Sequence, residues 1–458
     1  MTVKRRALAE RRRVVGYTQE QLAAVLDVER STVVRWEAGG TTPQPWCRPK
    51  LAEALSVSVD ELNALLAEGQ TAEDGRSTGW QPQPTVELTD DPEQDPVLAA
   101  PWNHRGIVES AVVLSGGERV ERRKFVFLTG MALTAPAHQW LVHEPGPLVS
   151  GLSGRRVSAA LVDRLMAMIP ELRAMDDIAG GGMVLSLAEQ EFGVVAELLD
   201  QASYDEPTGR KLHIALAELG QLAGWGAYDS GQPGLAQRYY IAALRAAHTV
   251  NDRPLGAHIL GFMAYQATRQ ARPAEAVTLI ETALAGARGR ETPALLAKLY
   301  SKQADAFATL RDVSGCTAAT SKARTQIEYL NPDDDLPYLY WVTPAEITAY
   351  AGQCLLQLGN TGQATTLLDD GIALFDESFT RNRQAYLVHM TDALSRPGKQ
   401  LDLDDAAARG IEAITIAESL NSTYSIDLLR DLYHQMKPHN KVPAVRDFLE
   451  RARGLVTV

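Results

Sequence analysis

Between residues 3 and 67 the apolar side chains recur at helical intervals: Leu8, Val14, Leu22, Val25, Leu26, Val28, Val33, Trp36, Leu51, Leu55, Val59, Leu62 and Leu65. The spacing predicts five short helices, each with a single apolar face. Thr18 opens one of them, TQEQLAAVL, and with Gln21 fits the capping pattern in which a hydroxyl and an amide satisfy backbone N–H groups reciprocally. Helices of about eight residues do not stand alone, so all five must close one small core. Val33 and Trp36, three apart on one face, belong to that core rather than to a stacking platform, and Gly39 is placed to end their helix in the left-handed conformation.

The pattern stops at Gln70. From there to Pro101 the chain runs TAEDGRSTGWQPQPTVELTDDPEQDP and beyond, with Pro82, Pro84, Pro92, Pro96 and Pro101 among acidic and small residues. This composition offers little to bury and reads as a linker, spanning roughly 30 Å if flexible. Past it no alternation of period two persists, and helix follows helix.

A repeat is written into the second part. Small residues fall in register at Ala236, Ala276, Cys316, Ala364 and Ala406, again seven residues later at Ala243, Ala283, Ala323, Gly371 and Ala413, and twelve residues earlier at Gly224, Ala264, Ala304 and Gly352, with Leu394 the exception. Small groups at matched places on two successive helices permit close antiparallel packing. The unit preceded by NPDDDLPYLYW, residues 331 to 341, is the most irregular, and in residues 102 to 209 the register fails, leaving degenerate repeats or a separate covering segment as alternatives.

Charge sharpens the division. The chain carries a formal net charge of -12, yet residues 1 to 50 hold ten bases against five acids. A basic head on an acidic body is compatible with a polyanionic partner, because charges beyond ~10 Å are screened. Three scattered cysteines, Cys47, Cys316 and Cys354, make no disulfide framework and no paired metal motif. No apolar run approaches the ~18 residues of a membrane span, so a soluble cytoplasmic protein without membrane partners is expected. Arg122-Arg123-Lys124-Phe125 with the apolar residues after it imitates a twin-arginine export signal, but its internal position favours a helix with a basic first turn.

Catalytic patterns are missing: there is no HExxH, GxxxxGK[ST], GxSxG or CxxC, and the nine histidines are dispersed without a carboxylate cluster. Neither an enzyme nor a cofactor nor a bound metal is expected. The glycines of AGGGMVLSLAEQ, residues 179 to 190, could hold an anion at a helix N-terminus, but a junction between two helices accounts for them better.

YTQEQLAAVLDVERSTVVRWEAG and LAEALSVSVDELNALL, in that order and spacing, resemble the helix-turn-helix of the Cro and lambda-type repressors, the Xre family, over the first 69 residues. The resemblance implies a recognition helix in the major groove of double-stranded DNA, preceded by a helix that crosses the backbone. It places Gln19 near phosphate and an outer base, and Arg30, Ser31, Thr32 and Arg35 at or beside base-facing positions. Lys4, Arg5, Arg6, Arg48 and Lys50 are assigned to phosphates. Arg12 and Glu37 match a buried ion pair of that family.

LAGWGAYDSGQPGLAQRYYIAALRAA, residues 222 to 247, resembles the tetratricopeptide repeat, and the register extends the likeness over residues 210 to 420, although the spacing exceeds the standard 34 residues. The implied fold is all-α: a five-helix lambda-repressor-like domain (1–69), a linker (70–101), a helical region (102–209) and an α-solenoid of tetratricopeptide-like helix pairs (210–458). In such folds the inner face carries the ligand. Carried over through the register, that face comprises Glu218, Gln221, Trp225, Tyr228, His258, Tyr265, Lys298, Asp305, Glu346, Gln353 and Thr391, a mixture suited to a peptide or small signal molecule. The arrangement is similar to peptide-sensing and actinobacterial regulators, which implies a homodimeric, effector-responsive transcription regulator. The alternative is a scaffold that binds a protein partner through its repeats and uses the head as a tether or dimer module.

Overall fold

The computed structural model describes residues 6–15, 17–26, 28, 30–38, 41, 43, 47–55, 57, 62, 66, 95–115, 126–146, 151, 154–331, 335–376, 378–420 and 422–456. Among them all regular structure is helical. The sole β-type pairings are isolated bridges, Gly151 with Tyr204 and Arg156 with Ser203. Two compact units form, residues 1–84 and 85–458, here called the head and the body.

In the head, α1 (Arg6–Val14), α2 (Gln19–Leu26), α3 (Arg30–Glu37) and α4 (Arg48–Ala54) bury Leu8, Leu22, Ala23, Leu26, Val33, Trp36, Leu51, Leu55, Leu62 and Leu66 in one core. The capping pattern is made as expected: the Gln21 backbone N–H donates to Thr18 Oγ1 (3.1 Å) and the Thr18 N–H to Gln21 Oε1 (2.8 Å). Val25 departs from expectation. It is 53% exposed, because on α2 it lies between the core residues Leu22 and Leu26 and turns outward. Leu62 and Leu66 are helical and buried, while the residues between them, Gly39, Val59 and the side chain of Val14 fall outside the described residues.

The body is a series of antiparallel helix pairs. These are α10/α11 (Glu206–Asp229, Pro233–Thr249), α12/α13 (Arg253–Arg269, Pro273–Ala287), α14/α15 (Pro293–Thr309, Val313–Ile327), α16/α17 (Pro344–Gln357, Thr361–Leu374), α18/α19 (Thr380–Ser395, Leu403–Ala417) and α20/α21 (Thr423–Met436, Pro443–Val456). Every residue of the small-residue register is buried. The reason is contact distance: a Cβ on Gly371 would lie 2.6 Å from the Ala349 backbone nitrogen, and one on Gly352 would lie 3.1 Å from the carbonyl oxygen of Ala364. A second register lies in the turns. Gly231, Ala271, Arg311 and Gly359 all adopt positive φ (77°, 57°, 62° and 84°), each five residues before a register position. Each is followed by a residue whose N–H reaches back to the preceding helix: Gln232 to Ala227, Arg272 to Ala267, Asp312 to Phe307 and Asn360 to Leu355, all at 2.8–2.9 Å. This is the Schellman closure that satisfies orphan carbonyls at a helix end.

Before residue 209 the helices are arranged in two ways. Helices α8 (Ala159–Ala179) and α9 (Gly181–Gln201) form one more pair, packed on α10. Ahead of them, α5 (Pro96–Ala99), α6 (His104–Ser115) and α7 (Gly130–Val142) lie across α9, α11 and α13 as a brace. Trp140, fully buried, fills notches at Gly256 and Gly286, where a Cβ would come within 2.4 and 2.2 Å of its ring.

Two expectations are corrected here, and a third holds. Residues 95–101 do not belong to a linker: Asp95 caps α5 and pairs with the buried Arg238 at 2.8 Å, Val97 is fully buried, and Arg245 donates to the Val97 and Leu98 carbonyls. Proline at a first helical position is compatible with that role. The rest of the linker, 70–94, falls outside the described residues. The apolar stretch after Arg122 does not start a helix either. Val126–Thr129 is irregular, with both backbone groups of Leu128 bound by Gln237 at 2.7 and 3.1 Å, while residues 122–125 are outside the described set. The glycines at 180 and 181 join two helices, and the N-terminus of α9 receives its anion from within the chain: Gly181 N–H donates to Asp229 at 2.8 Å.

Finally, the solenoid curves until its ends meet. α18 packs on α8, and α20 packs on α10. Arg381 of α18 pairs with Asp176 of α8 at 2.8 Å and lies 3.7 Å from Asp177; Ser422 donates to Asp229 at 2.7 Å; and Tyr265 donates to Tyr424 at 2.8 Å.

Candidate functional site

The head presents α3 as an amphipathic element. Val33 and Trp36 anchor it, at 1% and 5% exposure, which turns Arg30, Ser31 and Arg35 outward with Thr32 half-buried beside them. Arg35 folds along its own helix, Nε donating to Ser31 O and Nη2 to Thr32 Oγ1, both at 3.3 Å. Bonds that long and exposed release the guanidinium to a better acceptor at little cost. Arg30 stands 3.9 Å from Glu20, with both groups open to solvent, so the pair restrains neither.

Beneath this surface the expected ion pair is present and extended. Arg12 Nε donates to Glu37 Oε1 at 2.6 Å and Nη1 to Tyr17 O at 2.7 Å, with Arg12 and Glu37 both buried; Gln19 Nε2 donates to Glu37 Oε2 at 2.7 Å. Glu37 therefore ties α1, the start of α2 and the end of α3 together. Gln19 is held in place by that bond. Lys50 is exposed near the start of α4, whereas Lys4, Arg5 and the side chains of Arg6 and Arg48 lie outside the described residues.

The body forms a partly open cavity of about 130 Å³ where its ends meet. Of the inner positions expected to carry a ligand, the structure brings Gln221, Trp225, Tyr265, Glu346 and Gln353 to its wall. The others stand elsewhere. Glu218 pairs with Arg173 at 2.8 Å; Tyr228 lies behind the wall against Trp225, Tyr265 and Tyr424; and Lys298 is buried, donating to His258 O at 2.7 Å with His258 Nδ1 3.0 Å away. Asp305, fully buried, is bound by Arg269, Tyr350 and Gln357, and the Thr391 hydroxyl is spent on Leu387 O. The expectation of an open, exposed inner face is corrected: closing the solenoid buries those positions.

Most of the wall comes from residues outside that set. Tyr338, Tyr340 and Trp341 enter from the irregular insertion, which forms a 3-10 turn (Pro337–Leu339) ahead of α16. Arg173, Asp176 and Asp177 enter from α8, and Arg381 from α18. Lys302, Tyr350 and Tyr386 complete it, and two of these sit four residues beyond inner positions already identified, Lys298 and Glu346. That helical step was a usable signal.

The electrostatics of the wall are those of charges taken from water and paired. Lys302 lies 3.8 Å from the Tyr350 ring centre and 4.7 Å from that of Tyr265, and burial pulls its ammonium down to about 8 despite Glu346 and Asp305 nearby. Burial raises Asp177 to about 6, against the opposing effects of Arg381 and of the Tyr340 hydroxyl that donates to it. Glu346 is likewise raised by burial, opposed by Lys302, and accepts from Asn382 at 2.9 Å. Arg381 lies over the Trp225 ring at 5.0 Å.

Among the described residues no helix is long and apolar enough to cross a membrane. No curated protein matches the chain. Residues 8–62 match the family model described as Helix-turn-helix, of the Xre type, and that domain supports a DNA-binding regulator.

Proposed function

We propose that the chain is a sequence-specific transcription regulator that binds DNA as a dimer, its affinity set by a peptide or small-molecule signal held in the tetratricopeptide-like body. The observation that carries the reading is α3 itself: an anchored helix whose outward face carries Arg30, Ser31 and Arg35 beside the exposed Val34, inside a matched helix-turn-helix segment. Arginine bonds guanine O6 and N7 bidentately, whereas a hydroxyl specifies weakly, so Arg35 is the principal base reader and Ser31 its accessory. Lys50 contacts phosphate and adds affinity without sequence information.

The cavity at the closure of the body supports the signal-binding half. An occupant touching both α8 and α18 favours the closed form, and it shifts DNA affinity only by its preference for that form. Two heads on a two-fold operator then respond to whatever spacing the bodies impose.

The test is quantitative binding to a selected operator at several salt concentrations. Arg35→Ala loses discrimination at one base pair by about 1–3 kcal/mol while non-specific affinity persists. Lys50→Ala weakens all sequences alike and lowers the salt slope by about one. Equal operator affinity for Arg35→Ala and the unaltered protein would remove the base-reading assignment.

A further inference from the structure

The wall of the cavity narrows the chemistry of its occupant. Four of its residues carry buried polar atoms with no hydrogen-bond partner in the chain: Trp225 Nε1, Arg381 Nη1, Asp176 Oδ1 and the Tyr338 hydroxyl. A buried polar atom left unsatisfied costs enough that nearly all find a partner. The two nitrogens donate, the carboxylate oxygen accepts, and the hydroxyl does either. Each is covered by the chain itself, and an occupant that turns these side chains toward itself must offer both an acceptor and a donor.

Charge and size narrow it further. The wall holds three cationic side chains, Arg173, Lys302 and Arg381, and three acidic ones, Asp176, Asp177 and Glu346. Arg381 is already set against Asp176 and Asp177, Arg173 against Glu218, and Lys302 against Glu346 and Asp305. A ligand with a net charge would meet no uncompensated partner and would bear its own desolvation cost. Most of the remaining wall is aromatic, and a cavity of about 150 Å³ is known to take one benzene ring, against about 130 Å³ here. An extended peptide of four residues reaches roughly 13 Å or more and would leave most of its length outside such a space.

Resting on the signal-binding reading above, we infer that the body takes a compact electroneutral molecule about one ring in size, carrying one hydrogen-bond acceptor and one donor, and not an extended peptide. Trp225 and Arg381 bind the acceptor and Asp176 the donor, while the tyrosines and Trp341 cover the apolar faces.

Titration calorimetry and thermal shift on the full chain, with methyl para-hydroxybenzoate as probe, test this against para-hydroxybenzoate of the same shape and against capped tetra-alanine. The ester is expected to bind with Kd below about 1 mM and at least about tenfold more tightly than either comparator. Trp225→Phe, which removes the indole N–H and keeps an aromatic ring, should weaken the ester about fivefold. Ala385→Trp, which fills the cavity from its wall, should abolish binding. Circular dichroism reports whether each variant folds, and Trp225→Phe decides if the larger substitution does not. Absence of ester binding at about 1 mM, equal or tighter binding of the anion or the peptide, or an unchanged affinity in Trp225→Phe would each overturn the inference. Operator binding measured with saturating ester separates the two readings. Ester that binds without changing DNA affinity leaves the ligand class standing and defeats the signalling role. A peptide that changes DNA affinity while the ester fails to bind does the reverse.

Discussion

The head and the body solve opposite problems with the same kind of helix. Among the described residues of the head the core is apolar apart from the Arg12–Glu37 ion pair, and the reactive chemistry faces out along α3. In the body the helices bury small residues against each other and the chemistry faces in, where Arg381, Asp176, Lys302 and Glu346 share a cavity with aromatic rings. A surface that meets a polyanion needs solvated, movable cations. A cavity that selects a small molecule needs charges that are fixed, desolvated and already balanced. The same residue type therefore has different consequences in the two places: Arg35 is a side chain waiting for an acceptor, and Arg381 is a structural bolt.

That contrast is sharpest at the bolt. Arg381→Met would remove the cation that faces Asp176 and Asp177 while keeping the stem volume, leaving buried carboxylates uncompensated. Breaking such a pair costs about 3–5 kcal/mol. A calorimetric scan should show the body unfolding at clearly lower temperature with the head transition unmoved. If both transitions fell together, the two units would not be independent in stability. The head has a smaller counterpart in Glu37. Glu37→Ala strands buried Arg12 and releases Gln19, and at about 3 kcal/mol it should unfold the head selectively, abolishing operator binding with the body's melting point intact.

Acid separates the units in a different way, because all nine histidines lie in the body. His213 is fully buried, with Nδ1 2.7 Å from Gly209 O and Nε2 3.3 Å from His104, and burial pulls it down to about 4. The unfolded chain takes up that proton near 6.5 and the folded one near 4. The stability contributed by keeping His213 neutral is thus present above pH 6.5 and lost as pH falls through the window to 4, by about 3 kcal/mol. Asp177 acts oppositely, since its raised value makes stability fall as pH rises from about 4 to about 6. A His213→Asn variant isolates one group: its body should lose melting temperature less steeply than the unaltered protein between pH 6.5 and 4, with no change in the head. An unchanged slope would mean that His213 does not carry the sensitivity.

How much of this was legible follows from the range of the signals. The head could be read because its determinants are local: Thr18 and Gln21 are three residues apart, and Val33 and Trp36 likewise. The register of the body could be read because two helix axes can approach closely only where both residues are small, which is visible in composition without coordinates. The cavity could not. Its bolt joins residues more than two hundred positions apart, and whether α18 reaches α8 depends on curvature summed over several pairs. The insertion at 331–341 was visible as an irregularity, yet nothing local says that Tyr338, Tyr340 and Trp341 turn inward. Asp95 and Val97 read as linker for a related reason: a proline-rich acidic composition argues against a core of its own, but not against being gripped by buried Arg238 and Arg245 from elsewhere.

The smallest effect tests the turn register, the feature that most clearly unites the body. Four turns hold positive φ at equivalent places, two with glycine and two with Ala271 and Arg311. An L-residue there meets its own carbonyl with Cβ, at about 1–2 kcal/mol, while glycine escapes that clash but loses about 0.5–1 kcal/mol of backbone entropy. Ala271 is the cleaner site, since it is exposed and carries nothing beyond Cβ, whereas Arg311 donates to Gln357 O. Ala271→Gly should therefore stabilise the body by up to about 1 kcal/mol, raising its melting temperature slightly and leaving the head transition in place. A destabilisation of similar size would mean that the second pair does not share the turn geometry of Gly231 and Gly359. The repeat would then be a register of small residues alone.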